Sequence, residues 1–243
     1  MRIDRFITVT AMGSRKEAHQ WLKQGRLTVN GQSVKLAKQQ VEPGQDSIAL
    51  DGEVINYAPL SYYLLNKPAG VLSATKDSRT KTVMALLSAA DFRSDLFPVG
   101  RLDKDTTGLL LLTNDGQLAH QLLSPKKQVT KLYQAQIDGL VTAADVARFA
   151  EGVTTQHGTK FKPAKLQIMG QDLTKKQSVI QVQVLEGQFH EVKRLFQSIE
   201  KPVLKLRRLA MGPLTLPEDL PVGQYRPLTT TELTALKNSS KSV

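Results

Sequence analysis

One stretch of the sequence decides the fold: Phe97-Pro98-Val99-Gly100-Arg101-Leu102-Asp103-Lys104-Asp105-Thr106-Thr107-Gly108, followed by Leu109-Leu110-Leu111-Leu112-Thr113. A polar loop bracketed by two glycines separates a short Pro-Val strand from a run of leucines that suits a buried strand. Rigid strands on both sides of a polar loop are a common way to hold a reactive side chain. The loop is therefore the first candidate for a functional site.

Three interpretations of this loop follow from the residues alone. Asp103 to Thr107 matches the Asp-x-Asp-x-Thr signature of haloacid-dehalogenase-type phosphatases. Gly100 and Arg101, however, interrupt the strand that should precede this signature, and no regular run of parallel βαβ units follows it. A calcium loop is rejected, because its twelfth position would be Asn114 where Glu is needed and leucines fill its second half. The third interpretation is an acidic turn between two strands.

Beyond residue 61, segments of strand character alternate with helical ones. The predicted strands are Tyr62 to Asn66, Leu109 to Thr113, Tyr133 to Ile137 and Val179 to Leu185, and the predicted helices are Thr82 to Leu87, Gln117 to Leu123, Ala143 to Ala150 and His190 to Ile199. This mixture predicts an α+β domain over residues 62–236, with a mainly antiparallel mixed sheet and flanking helices. Small polar residues predict a disordered tail at 237–243.

The first 58 residues predict a separate small α/β domain. Ile3 to Ala11 carries apolar residues at helical spacing, and Ser14 with Glu17 forms a capping box that starts a second helix. Asn30-Gly31 and Asp51-Gly52 are type I′ turn signals, each between two short runs of strand residues. We expect two helices packed on short strands, joined to the larger domain by a linker at residues 59–61.

The composition favours a polyanionic partner. The chain has 33 Lys and Arg against 22 Asp and Glu, a formal net charge of +11, which favours nucleic acid first and an anionic membrane second. No apolar run approaches the roughly 20 residues of a spanning helix, and the amino terminus lacks the apolar core of a secretory signal, so the cytoplasm is expected. The chain has no cysteine, and its four histidines lack ligand spacing, so we expect no metal site.

Basic residues concentrate near the amino terminus. The first forty residues contain two acids and eight basic residues: Arg2, Arg5, Arg15, Lys16, Lys23, Arg26, Lys35 and Lys38. Because these residues span two predicted helices and the following hairpin, they favour a nucleic-acid surface over a simple solvated helix face.

Two sets of motifs resemble known RNA-handling families. The first set resembles the S4 RNA-binding domain and consists of Arg2 to Ile7, Ser14 to Ala18 and Gly25 to Gly31. A second set of motifs resembles pseudouridine synthases of the RsuA branch and follows the order of the motifs in that family. These motifs are Leu65 to Gly70 with Ser73, Pro98 to Leu109, Lys131 to Tyr133 and Glu186 to Phe196. The resemblance covers roughly residues 1–230, and the Gly-Arg-Leu-Asp block is its most specific part.

The resemblance implies an isomerase that converts a uridine in RNA to pseudouridine through Asp103. The N1–C1′ bond breaks, the base rotates and C5 joins C1′, while the carboxylate acts on either the ring or the sugar. Lys193 occupies the position of the cation that keeps Asp103 ionised, and Tyr133 matches the tyrosine that stacks on the target base. No cofactor is implied.

The resemblance and the charge pattern also assign RNA contacts. The residues are Arg101, Arg5, Ser14, Arg15, Lys16, Lys23, Arg26, Lys67 and Arg194. The closing stretch Gly223 to Thr229 looks most like the small-subunit member of the branch, so we expect a monomer acting on 16S rRNA, naked or in an assembling particle. The alternatives are 23S rRNA, or a non-catalytic RNA-binding protein. Glu191 departs from the family, which usually carries Gln there.

Overall fold

The computed structural model describes residues 1–10, 12–55, 60–154 and 158–241. The chain divides into two compact units, one of Met1–Leu60 with Ala89–Leu96 and one of Ser61–Ser88 with Phe97–Val243. Pro59, where the expected linker begins, lies outside the described residues, as do Ala11 and His157. Within the described ranges, no helix is both long and apolar enough to cross a bilayer.

The first unit consists of two helices and a small antiparallel sheet. Its elements are α1 (Ile3–Val9), α2 (Arg15–Lys23), β1 (Leu27–Val29), β2 (Gln32–Ser33), β3 (Ile48–Leu50) and β4 (Glu53–Val54). The strand order is β2-β1-β3-β4. Apolar residues of both helices pack with those of the strands in one buried cluster, as the sequence predicts.

Local sequence signals explain where these elements begin and turn. The Ser14 side chain accepts the N–H of Glu17 and the Glu17 carboxylate accepts the N–H of Ser14, so the predicted capping box starts α2. Both residues of Asn30-Gly31 and of Asp51-Gly52 have positive φ, as type I′ hairpin turns require. The two predicted hairpins are confirmed.

The second unit is built on a nine-stranded mixed sheet. Its strands are β5 (Tyr62–Lys67), β6 (Phe97–Pro98), β7 (Thr107–Thr113), β8 (Lys131–Asp138), β9 (Lys165–Asp172), β10 (Gln177–Val184), β11 (Val203–Met211), β12 (Leu214–Thr215) and β13 (Tyr225–Pro227). Its helices are α3 (Gly116–Leu123), α4 (Ala143–Glu151), α5 (Glu191–Gln197) and α6 (Thr230–Lys241), with 3-10 turns at Val83–Leu86 and Pro125–Lys127.

The order of this sheet confirms the predicted α+β class. The main path runs β13-β5-β7-β11-β8-β10-β9, with β12 on β11 and β6 on β7. Among the described strands, β7 and β11 form a parallel pair, whereas the neighbouring pairs β5–β7 and β8–β11 are antiparallel. The sheet is thus mainly antiparallel, and its parallel pair lies next to the loop that carries Asp103.

Strand β7 is the centre of the core. All four leucines from Leu109 to Leu112 are completely buried, so both faces of the strand are covered. Leu109 and Leu111 pack in one apolar cluster with side chains of α3 and α6. A strand buried on both faces reads as a continuous hydrophobic run, which explains the leucine repeat.

Gly108 lets the parallel pair approach closely. Its φ is +102°, and a Cβ at this position would lie 2.2 Å from the carbonyl oxygen of Arg208 on β11. Since such a contact is sterically forbidden, only glycine fits at the start of β7. This close approach brings the Asp103 loop up to β11.

Helix α6 enters the segment for which we expected a disordered tail. Thr229 and Glu232 form a capping arrangement, in which the Thr229 hydroxyl accepts the N–H of Glu232 at 3.2 Å, and Leu236 is completely buried. The helix then continues to Lys241. A capped start and a buried residue in the second turn lower the cost of extending a helix through small polar residues, so residues 237–241 are helical here.

Candidate active site

The loop between β6 and β7 is held by backbone contacts. The Ser73 hydroxyl donates to the carbonyl of Leu102 at 3.0 Å and accepts the N–H of Leu102 at 3.1 Å. The N–H of Thr106 donates to the carbonyl of Asp103 at 3.1 Å, which closes a turn. The backbone at Asp103 is therefore fixed without any contribution from its carboxylate.

Lys67 supports the same loop from the interior. Its ammonium donates to the carbonyls of Pro68, Asp103 and Thr106 at 3.0, 3.1 and 2.9 Å, and its side chain is completely buried. Burial lowers the pKa of Lys67 to about 8, against the charges of the nearby Asp105 and Asp103. The structure thus corrects the expectation that Lys67 contacts RNA, because a fully buried ammonium does not reach a ligand.

Asp103 lies between two nitrogen-bearing side chains. Its Oδ2 is 3.2 Å from the ammonium nitrogen of Lys193, and its Oδ1 is 3.3 Å from Nε2 of His190. The carboxylate remains 26% exposed, so a ligand can reach it. The structure brings Asp103 and Lys193 together, as the resemblance implies.

Lys193 is shared between two carboxylates. Its ammonium also donates to Asp105 Oδ1 at 2.7 Å and Oδ2 at 2.9 Å. Partial burial lowers the pKa of Lys193, but the hydrogen bonds and charges of Asp105 and Asp103 outweigh burial and raise it above its usual value. The hydrogen bond from Lys193 lowers the pKa of Asp105. The carboxylate of Asp105 and the ammonium of Lys193 therefore stay ionised at neutral pH.

Tyr133 and Asp103 line one small cavity. It has a volume of about 90 Å³, and Arg101, Lys193 and Arg208 also line it. Tyr133 is 9% exposed and pairs across the strands with Arg208 of β11. Residues directly opposite on adjacent strands point to the same face, so the sheet brings Tyr133 to the face where the Asp103 loop ends.

The departure from the family at Glu191 also lies at this cavity. Glu191 and Lys131 both line it, and both are buried. Burial raises the pKa of Glu191 to about 7, although the N–H of Gln188 donates to its carboxylate and opposes the shift. Burial, together with the charge of Arg208, lowers the pKa of Lys131. The cavity thus contains a carboxyl group that titrates near neutral pH.

Three of the predicted RNA contacts share one face of the first unit. Arg15, Lys16 and Lys23 line an open depression of about 420 Å³ on α2, together with His19 and Gln20. All three basic side chains are exposed. Concentrated positive charge on an open helix face suits contacts with phosphate, so these three residues stay the strongest RNA-contact predictions of this unit.

The remaining predicted contacts of this unit are less clearly placed for RNA. The Ser14 hydroxyl is used by the cap of α2, where it also donates to the Glu17 carboxylate at 2.7 Å. Arg26 pairs with Asp51 across the sheet, which offsets its charge. Arg5 is exposed on α1 and stays a prediction.

In the second unit, Arg101 and Arg194 occupy different environments. Arg101 is exposed and lines the cavity beside Asp103, where an RNA contact is sterically open. Arg194 donates to Thr159 Oγ1 at 2.7 Å and lies 5.0 Å from the ring centroid of Phe161. Arg194 thus makes contacts within its own unit, which the basic Lys193-Arg194 pair does not reveal in the sequence, and its contact with RNA stays a prediction.

His190 has no predicted role in the sequence, but it lies at the candidate site. It immediately precedes α5, with a left-handed backbone at φ +50°, and its imidazole faces Asp103. Because His190 lies outside the helix with a left-handed backbone, its spacing from Lys193 does not predict this placement.

Comparison with known proteins agrees with this geometry. The family described as RNA pseudouridylate synthase matches residues 61–198, and the S4 domain family matches residues 1–47. A solved structure of a pseudouridylate synthase is 33% identical and covers 97% of this chain and 99% of that chain, with a TM-score of 0.66.

Three full-length relatives point the same way. The RNA pseudouridine synthase YtzG of Bacillus subtilis is 42% identical, over 96% of this chain and 97% of the relative. Ribosomal large subunit pseudouridine synthase B of Bacillus subtilis is 35% identical, over 97% of this chain and 95% of the relative. Ribosomal small subunit pseudouridine synthase A of Escherichia coli is also 35% identical, over 97% of this chain and 100% of the relative. The chain belongs to the RNA pseudouridine synthases, which are isomerases acting on RNA, and it carries an amino-terminal S4 domain.

Proposed function

We propose that this enzyme converts a uridine of 16S ribosomal RNA to pseudouridine, with Asp103 as its nucleophile. The observation that supports this best is the position of the Asp103 carboxylate, which is partly exposed in a cavity between Lys193 and His190. A carboxylate that is oriented, paired with a cation and still accessible meets the requirements of a nucleophile.

The reaction needs no atom beyond those of the substrate. The N1–C1′ bond breaks, the C5–C1′ bond forms, C5 loses its hydrogen and N1 gains one. Asp103 forms a transient bond to the ring or to C1′ and is released when C5 joins the sugar. Lys193 stabilises the carboxylate before attack and after release, since an opposite charge within about 4 Å favours the ionised form.

Tyr133 is the proposed partner for the base. Its ring lines the cavity into which the uracil must enter, and a flat amphipathic ring suits both stacking and the movement of a proton. Arg101, at the exposed side of the same cavity, would fill the gap left by the extruded base or grip its phosphate. Extrusion costs a few kcal/mol, least when the target lies in a loop.

The choice of 16S rRNA rests on the closing stretch of the chain and on the small-subunit relative. Gly223 to Thr229 resembles the small-subunit branch and includes β13, which pairs with β5. The alternative is 23S rRNA, which the equally similar large-subunit relative favours. Both would place the reaction in the cytoplasm, on naked RNA or on an assembling particle.

The division of labour between the units belongs to the same proposal. Residues 1–58 would anchor the RNA through Arg15, Lys16 and Lys23, and residues 62–236 would carry the chemistry, in a monomer. Phosphate contacts position RNA without reading its sequence, so selection of the uridine would lie with the catalytic domain.

Mapping of pseudouridine in ribosomal RNA tests the proposal. Transcripts of 16S and 23S rRNA are incubated with the purified enzyme, and rRNA from cells with and without the gene is compared. We expect one enzyme-dependent pseudouridine in 16S rRNA. A site confined to 23S rRNA would select the alternative, and no new pseudouridine in either RNA would overturn both.

A further inference from the structure

Phe189 presents an aromatic ring to solvent beside the proposed active site. It is 71% exposed. One face of the ring stacks on the imidazole of His190, with centroids 3.7 Å apart and planes inclined by 19°. The same imidazole lies 3.3 Å from Asp103. An exposed ring is therefore linked through a single side chain to the proposed nucleophile.

The turn that carries this ring is fixed by several contacts. Arg194 donates to the carbonyl of Phe189 at 3.4 Å, and the N–H of Gln188 donates to the Glu191 carboxylate at 3.2 Å. His190 has a φ of +50°, a conformation that is unfavourable for a side chain with a Cβ. Strain of this kind persists where the surrounding structure imposes it, and it clusters at functional sites.

A wide cavity opens in front of the ring. It has a volume of about 950 Å³, and Phe189, His190, Arg101 and Lys104 line it with Asp103. Arg101, Asp103 and His190 also line the small cavity beside Tyr133, so the two cavities adjoin. The small cavity suits one extruded base, and the wide one has room for a neighbouring nucleotide.

Charge in the wide cavity suits RNA. Arg101 and Lys104 are exposed at its wall, where they can contact phosphate. Asp77 also lines it, but its Oδ1 accepts the N–H groups of Arg79 and Thr80 at 2.9 and 2.7 Å. These hydrogen bonds hold the Asp77 carboxylate on its own loop without cancelling its charge, and Arg101 and Lys104 are the cations at the wall that can contact phosphate.

We propose that Phe189 is a stacking platform for the nucleobase of a nucleotide adjacent to the target uridine. Once the target leaves its stack, its neighbour loses a partner, and the free face of Phe189 replaces that partner. Every base has a π-face, so stacking on an aromatic ring tolerates any sequence. This inference rests on the proposed function, because it places the target uracil at Asp103.

A cycle that combines protein and RNA changes tests this platform. The probe is a stem-loop RNA copied from the rRNA around the mapped uridine, intact or with one abasic nucleotide at a position flanking that uridine. Affinities are measured with Asp103→Asn enzyme to prevent turnover, with and without Phe189→Ala. We expect Phe189→Ala to weaken binding of the intact RNA by roughly 5- to 150-fold. When the missing base is the one that stacks on Phe189, the abasic RNA should bind with the same affinity to the enzymes with and without Phe189→Ala.

Controls separate stacking from general damage. Leu173, also 71% exposed but outside both cavities, is the matched position, and Leu173→Ala should leave affinity unchanged. Phe189→Tyr should keep the affinity of the parent. The platform is refuted if Phe189→Ala binds the intact RNA as the parent does, or if its loss is the same on every abasic RNA. Failure of the proposed function shows differently, as absence of pseudouridine with the unmodified enzyme, whereas failure of the platform shows while that enzyme still forms pseudouridine at the mapped uridine.

Discussion

The ammonium nitrogen of Lys193 lies 3.2 Å from Oδ2 of Asp103. The same nitrogen donates to Asp105 at 2.7 Å, so the first turn of α5 is tied to the loop between β6 and β7. Because these contacts raise the pKa of Lys193, its charge is constant across the neutral range. An electrostatic role for Lys193 therefore predicts an effect on chemistry at every working pH.

Replacing Lys193 by Met should slow the chemical step more than it weakens binding. The Asp103 carboxylate loses its partner in a partly dry site, and we expect single-turnover rates to fall about 10- to 100-fold. Lys193→Arg should retain much of the rate, and Lys205→Met, on an exposed position of β11, is the control. If Lys193→Met changed only the affinity and its salt dependence, Lys193 would be a phosphate contact instead.

Lys67→Met should disturb the catalytic loop from within. Removing the ammonium leaves the carbonyl of Thr106 without this donor and takes one of two donors from the carbonyl of Asp103. We therefore expect the free energy of unfolding to fall by about 2–4 kcal/mol. The rate should fall too, because Asp103 loses its fixed backbone. Urea unfolding and single-turnover rates measure the two effects. Lys175→Met, at an exposed lysine, should change neither, and a fully active, fully stable Lys67→Met enzyme would contradict this role.

Local signals in the sequence predicted much of the fold. The capping box at Ser14, the Asn30-Gly31 turn and the Asp51-Gly52 turn predicted where the elements of the first unit begin and turn, since these signals act over a few residues. The leucines of β7 marked a strand buried on both faces. Strands β9, β11 and β13 were not predicted, because their polar and apolar residues form patterns that only sheet neighbours decide.

The candidate site was predictable in part. The family motifs supplied Asp103, Tyr133 and Lys193, and the structure places all three at one cavity. Lys67 was misassigned because a lysine in a sequence reads as a surface charge, and its burial depends on carbonyls contributed by a distant loop. The proximity of His190 to Asp103 likewise depends on tertiary packing.

Glu191→Gln should change how stability depends on pH. The pKa of the Glu191 carboxyl rises from its ordinary 4.5 to about 7 in the folded protein, so between these values the folded chain binds more protons than the unfolded chain. Stability from this group is complete below about pH 4.5 and is lost as the pH rises through about 7. At pH 8 the Gln variant should be more stable than the parent by up to about 3 kcal/mol.

Urea unfolding of both proteins from about pH 5 to about pH 8 measures this difference. The gap between the Gln variant and the parent should widen with rising pH. Glu218→Gln, at an exposed position, should show no such widening. A difference in stability that stayed constant over this pH range would mean that Glu191 is already ionised in the folded protein at about pH 5.

Replacing Arg15, Lys16 and Lys23 together by Gln should weaken RNA binding without slowing the bound enzyme. Each phosphate contact releases counterions, so the slope of log affinity against log salt should become shallower by about 0.7–0.9 per lost contact. Lys165, Lys175 and Lys176, all exposed in the second unit, give a control with the same charge removed. Equal losses in both triple variants would show that net charge, and not the face of α2, determines affinity.

The most direct test of the account is tritium release from 5-tritiated uridine RNA by Asp103→Asn. The amide keeps the shape of the side chain but lacks the charge needed for attack. We predict no release above background, with RNA affinity and urea midpoint unchanged from the parent enzyme. Release by the Asn variant at a substantial fraction of the parent rate would contradict the assignment of Asp103 as the nucleophile.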